Sequence, residues 1–306
     1  MSTISESWLL SVPFLVALGL VVGSFLNVVI DRLPLMLYRQ WWEMTCDQLS
    51  DPASLHALGI GAAIPAAEQG ARALQPLVQG LPKLSLSRPR SHCPACQRSL
   101  KAWELIPVIS WVALRGRCAG CGSAIGTRLV MVELLTALVF GLLAWRFSGQ
   151  WALVGWCWFA AILLAAAFID WETLLLPDVL TLGLLWLGLS VSALGATVPP
   201  VDAIAGAVGG YLLLWSVATG YRLLRGQEGM GQGDFKLLAA LGAWLGWSGV
   251  LPVVVLASLS AAVVGMALKR RGALREGRLV PFGPFLAGSA LVVVCWQGPV
   301  AGGWWL

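Results

Sequence analysis

The fold class this sequence predicts is an all-α polytopic membrane protein, with about eight transmembrane helices and a small cytoplasmic zinc-ribbon-like domain inserted between the first and second. Three observations predict it. Of 306 residues, 58% are hydrophobic and only 11% charged, against roughly a quarter charged in soluble domains. Apolar runs near the length that a bilayer demands recur along the chain. When those runs are threaded alternately through a membrane, nineteen of the twenty Lys and Arg fall on one side.

The first apolar stretch, roughly Trp8 to Ile30, is longer than a signal-peptide core and has no basic segment ahead of it. It reads as a permanent helix. Further spans are expected at about 129–147, 151–169, 174–196, 201–221, 235–249, 250–268 and 281–300. As one helix, Leu237 to Lys269 would be about 50 Å long against a hydrocarbon core of about 30 Å. Gly246-Trp247-Ser248-Gly249 offers a break, so the run divides into two short crossings.

With the N-terminus outside, cytoplasmic segments hold the eleven basic residues between Asp31 and Arg128. They also hold Arg222, Arg225, Lys236, Lys269, Arg270, Arg271, Arg275 and Arg278, leaving Arg146 opposite. This map accounts for the net charge of +5 through membrane orientation, with no nucleic-acid partner. It also sets Asp170 and Asp234 on the cytoplasmic face. Three regions follow: 1–30, the first helix; 31–128, a cytoplasmic domain; and 129–306, a seven-helix membrane core. Residues 40–85 are rich in Ala, Gly, Pro and Gln and carry little chemical information.

Cys93-Pro-Ala-Cys96 and Cys118-Ala-Gly-Cys121 are two CxxC pairs of the kind that bring four thiolates to one tetrahedral structural zinc site. Gly120 and Gly122 would ease the tight turns. A closed Cys₄ site has no open position for hydrolysis, so Zn²⁺ there would hold the loop together. Unmetallated or redox-active CxxC pairs are the alternative. Cys157 and Cys295 lie in apolar spans and are expected to pack as small hydrophobes. His92 is read as solvated.

Carboxylates at membrane depth are costly and mark function. Asp170 ends an apolar run, in Phe168-Ile169-Asp170, and Asp234 sits in Gly231-Gln232-Gly233-Asp234. Glycines beside Asp234 would permit an extended peptide to lie near its carboxylate. Two close carboxylates share a proton: the charged one activates water and the protonated one polarises a scissile carbonyl. The bland reading makes both helix N-caps, a role that Asp178, after Pro177, fits well.

The motifs together resemble the type IV prepilin peptidase family. They run from Gly23-Ser24-Phe25-Leu26-Asn27 with Asp31-Arg32-Leu33-Pro34, through the paired CxxC, Ile106-Pro107-Val108 and Leu114-Arg115-Gly116-Arg117-Cys118. Val132-Glu133-Leu134, Ile169-Asp170 with Leu176-Pro177-Asp178, the GxGD and Pro281-Phe282-Gly283-Pro284-Phe285 follow. The resemblance implies eight helices, a catalytic pair Asp170 and Asp234, and substrates that are type IV prepilins or type II secretion pseudopilins with a short basic leader. It further implies methylation of the new N-terminus from S-adenosylmethionine, and a multi-pass inner-membrane location with the N-terminus periplasmic and membrane lipid around it. The family's Arg-Tyr-Pro run is here Arg128-Leu129-Val130, which alters the approach to the second helix.

No glycine-rich cofactor loop follows a strand, which excludes a Rossmann-type methyltransferase site. Glu104, Arg115, Gly116, Arg117 and Glu133 are the candidate cofactor or amine-binding groups, each equally readable as a structural or solvated charge. Two distant histidines exclude the HExxH form of metalloprotease. Ser24 has no lysine placed near it by a motif, and a transporter would predict coupled flux without proteolysis.

Overall fold

Apolar residues fill Val12 to Ile30, yet the helix they begin does not stop at the expected edge. In the computed structural model, which describes residues 10–57, 59, 64–82, 84–147, 151–227, 229–271 and 280–297, α1 runs from Val12 to Leu49, through Asp31, Arg32 and Pro34. Beyond it come α2 (Pro52–Ala57), α3 (Ile64–Gly80), a 3₁₀ turn (Ala102–Leu105) and α4 (Ile109–Ala113). Then follow α5 (Thr127–Arg146), α6 (Ala152–Thr173), α7 (Asp178–Ala193), α8 (Pro200–Arg225), α9 (Gln232–Arg270) and α10 (Gly283–Gln297). Trp8, Arg275, Arg278 and positions 298–300 of the expected last span lie outside the described residues.

Five of these helices, α1, α5, α6, α8 and α9, are long and apolar enough to cross a membrane; α7 and α10 are apolar but shorter. The chain is a multi-pass membrane protein. The expected break in the last long run is present at Gly246, whose φ of 70° and ψ of 177° interrupt the 39-residue α9. That conformation is open to glycine and strained for other residues.

Packing divides the chain into two units, Met1–Asn27 with Lys101–Leu306, and Val28–Leu100. In the second, Arg32 donates to the carbonyls of Ser85 (2.8 Å) and Pro89 (2.7 Å). Arg39, two turns along the same face, donates to Glu43 and to the carbonyls of Leu81 and Pro82. Two arginines of α1 thus fix the irregular approach to the first CxxC by satisfying backbone acceptors that no helix or sheet serves.

In the first unit the core lies between α6, α7 and α9. Trp244 of α9 is fully buried, packs at a tilt against the Trp156 and Phe159 rings, and donates its indole N–H to the Leu184 carbonyl at 2.9 Å. Gly188 leaves room for that ring, since a Cβ there would lie 2.6 Å from it. The most extensive helix pairing is α8 with α9. It is a small-residue contact of the kind lipid-embedded helices use, with Gly206, Gly209 and Gly210 facing Leu238, Gly242 and Trp247. These contacts hold the helices that carry Asp170 and Asp234.

Candidate active site and metal centre

Asp170 lies in the last turn of α6 and Asp234 in the first turn of α9, 5% and 8% exposed respectively. Neither is an N-cap. The cap of α9 is Gly231, and Asp170 sits at a helix C-terminus, where the macrodipole opposes a carboxylate. Capping therefore does not account for either acid. Asp178 is not a cap either: Pro177 holds that position, and Asp178 instead takes Lys236 Nζ on both oxygens at 2.6 and 2.8 Å. The sequence reading missed that pairing because it joins residues 58 positions apart.

The two acids border the same small region. Asp170 Oδ2 accepts the Gly283 N–H at 3.0 Å, whereas Asp234 Oδ1 is buried without a hydrogen-bond partner. Leu176, on the segment between α6 and α7, packs against both Gly233 and Gly283. Arg128 clasps both oxygens of Glu172 at 2.9 Å, tying the start of α5 to the end of α6. The site thus consists of two buried carboxyl groups on separate helices, one held by a backbone N–H and the other with an oxygen that makes no hydrogen bond. Such a pair can hold one proton between its members and hand it to a reacting group.

The CxxC segments form two hairpins of the same design. In the first, Cys93 N–H donates to Arg98 O and Gln97 N–H to Cys93 O, both at 2.9 Å, and a bridge joins His92 to Ser99. In the second, Cys118 N–H donates to Ser123 O and Gly122 N–H to Cys118 O, and a bridge joins Arg117 to Ala124. The equivalent residues Gln97 and Gly122 both take positive φ, 57° and 72°. Of the two glycines expected to ease the turn, Gly122 does so, while Gly120 gives its N–H to the Cys118 sulfur at 3.4 Å. The four sulfurs lie within 4.8 Å of one another. A tetrahedron of thiolates around zinc at about 2.3 Å needs sulfurs about 3.8 Å apart, so this donor set could hold the ion. His92 is exposed and bonds to Arg90 O, and Cys157 is buried as expected. Cys295 is exposed rather than packed.

The candidate methyl-transfer residues divide by how they are used. Glu104 is buried and accepts the Lys101 N–H at 2.7 Å, closing the 3₁₀ turn. Glu133 is buried in α5 and accepts the Val108 N–H at 2.8 Å. Val108 has a φ of 58°, unusual for a β-branched residue. Gly116 is buried at a φ of 68°, and a Cβ there would lie 2.9 Å from the Trp111 ring. Arg115 and Arg117 flank it, and both are exposed. Both carboxylates therefore secure backbone turns, and the two guanidinium groups stand open to solvent.

Comparison with known proteins bears on the same residues. Positions 17–147 match the Bacterial Peptidase A24 N-terminal domain, and 157–266 the Type IV leader peptidase family. A Stutzerimonas stutzeri protein named prepilin leader peptidase/N-methyltransferase is 44% identical over 91% of this chain and 88% of its own length. A Neisseria gonorrhoeae protein of the same name is 39% identical over 100% of this chain and 98% of its own. The Aeromonas salmonicida counterpart is 42% identical over 91% of this chain and 88% of its own length. No solved structure matches. The fold and site define a polytopic membrane protein with a buried aspartate pair. This chain belongs to the prepilin leader peptidase/N-methyltransferase family.

Proposed function

We propose that the protein is an intramembrane aspartyl endopeptidase that removes the short basic leader of type IV prepilins and type II secretion pseudopilins, then N-methylates the new terminus. The observation that carries this reading is the pair Asp170 and Asp234, both buried, bordered by the same Leu176 and Gly283 segment, with Asp234 Oδ1 unpartnered. In the reaction one carboxylate takes a proton from water as it attacks the scissile carbonyl. The other, carrying the shared proton, donates to the carbonyl oxygen as charge develops there, and the proton taken from water then passes to the leaving amine as the C–N bond breaks. No covalent intermediate is needed.

S-adenosylmethionine would supply the methyl group. Arg115 and Arg117 suit its carboxylate end, with Gly116 between them; Glu104 and Glu133 serve by shaping the turns around that segment. The region 31–128 is read as the cytoplasmic domain, and the chain as eight crossings, the first helix and seven in 129–306, with α9 counted as two at Gly246. The protein is placed in the bacterial inner membrane among lipid, N-terminus periplasmic and aspartates toward the cytoplasm, following the distribution of Lys and Arg.

The experiment incubates the purified chain in detergent with a prepilin and isotopically labelled S-adenosylmethionine, and analyses the product by mass spectrometry. Leader loss with label on the new N-terminus is expected. An intact prepilin would overturn the reading.

Cys93, Cys96, Cys118 and Cys121 are assigned as ligands of a structural Zn²⁺. Elemental analysis is expected to find stoichiometric zinc in the wild type and to lose it in Cys118→Ser. Active protein without bound metal would refute the assignment.

A further inference from the structure

We propose that Gly283 is a positioning residue for leader cleavage: its backbone N–H holds the Asp170 carboxylate, and its lack of a side chain leaves the space that carboxylate fills. This rests on the reading of Asp170 as catalytic. Gly283 opens α10, where the first N–H groups of a helix have no acceptor within it. Phe282 O accepts from Phe285 and Leu286, so Phe282 acts as the cap. Pro284, next in line, has no N–H, so of the first two residues of α10 only Gly283 can donate. Its N–H goes to Asp170 Oδ2 at 3.0 Å, a buried bond that spans 113 positions of sequence. A bond from N–H to a carboxylate is of the stronger, charge-assisted kind.

The missing side chain matters equally. A Cβ on Gly283 would stand 2.6 Å from Asp170 Oδ2, 3.2 Å from its Cγ and 3.3 Å from Leu176 Cδ1. Its neighbour Ile169 is fully buried, so the α6 backbone is confined and the carboxyl group itself must turn away. On the other side of the pair, Asp234 Oδ1 has no partner to restore alignment. Gly283 therefore sets where the Asp170 oxygens stand.

The test measures kcat and KM for cleavage of a prepilin by full-length Gly283→Ala, Gly288→Ala and Asp170→Asn in detergent. Methyl transfer to a precleaved peptide is measured alongside. Misplacing a reacting group by about 1 Å costs on the order of 10²-fold. Gly283→Ala is therefore expected to lose kcat on that scale, with KM and methyl transfer unchanged. Gly288→Ala, on the same helix with nothing within 4 Å of its Cβ position, should match the wild type. Wild-type kcat in Gly283→Ala would overturn the inference. If Gly283→Ala loses methyl transfer as well, an amide-to-ester replacement of the residue 283 N–H decides. It adds no Cβ, and an unchanged kcat there also overturns the inference. Normal cleavage by Asp170→Asn would instead sink the catalytic reading beneath it.

Discussion

Asparagine at Asp234 is expected to lower kcat for leader cleavage by about 10²–10⁴-fold, the range that a positioned acid or base contributes. The same change should leave the melting temperature in detergent unchanged or higher. The side chain keeps its shape, so packing around its 8% exposed site is preserved. What changes is chemical: an amide can neither take nor return the proton that the mechanism passes. It also carries no charge in a buried site where one of the Asp234 oxygens goes unbonded. Groups kept for chemistry commonly cost stability, so relieving them favours the fold. Kinetics and thermal unfolding on one preparation check both halves. Retained kcat, or a melting temperature lowered by several degrees, would make Asp234 a structural residue.

The second large effect belongs to the fold. Gly242→Val is expected to stop the protein accumulating in the membrane, with cleavage and methyl transfer lost together. A Cβ at Gly242 would overlap the Gly206 backbone carbonyl and lie 2.9 Å from the Ala207 nitrogen. Neither can rotate aside as a side-chain end would. The helices must part, and overpacking already costs about 1–3 kcal/mol where side chains can adjust. Gly220→Ala in α8, whose Cβ would meet nothing within 4 Å, is the control that should express normally. Quantifying membrane-extracted protein checks this, and full expression of Gly242→Val would contradict the backbone contact.

Much of the site was legible in the sequence because it rests on local chemistry. A carboxylate ending an apolar run, a second in a glycine-rich segment, and paired CxxC each identify themselves within a few residues. The break in α9 was legible too, since its length exceeds the bilayer and Gly246 stands where a bend is needed. What the sequence hid was long-range or continuous with helix. The apolar pattern ends near Ile30, but α1 continues to Leu49 because Asp31, Arg32 and their neighbours are compatible with helix although they break the apolar run. Asp178 looked like a cap locally and found Lys236 instead. Glu104 and Glu133 gave no hint that their oxygens would be taken by backbone N–H groups. Gly283 stood within a motif whose partner, Asp170, could be found only in three dimensions.

The bend at Gly246 also bears on how the protein is assembled. Where the chain passes from one crossing to the next at Gly246, the helical hydrogen-bond ladder is interrupted and its peptide groups need partners outside the helix. Here Gly246 is buried, with Val198 and Asp202 beside it and Gly206 of α8 against the same stretch. Those residues precede α9 in the chain and leave the ribosome first. The surface that shelters the bend is synthesised before the bend itself, so α9 has a protein face to insert against.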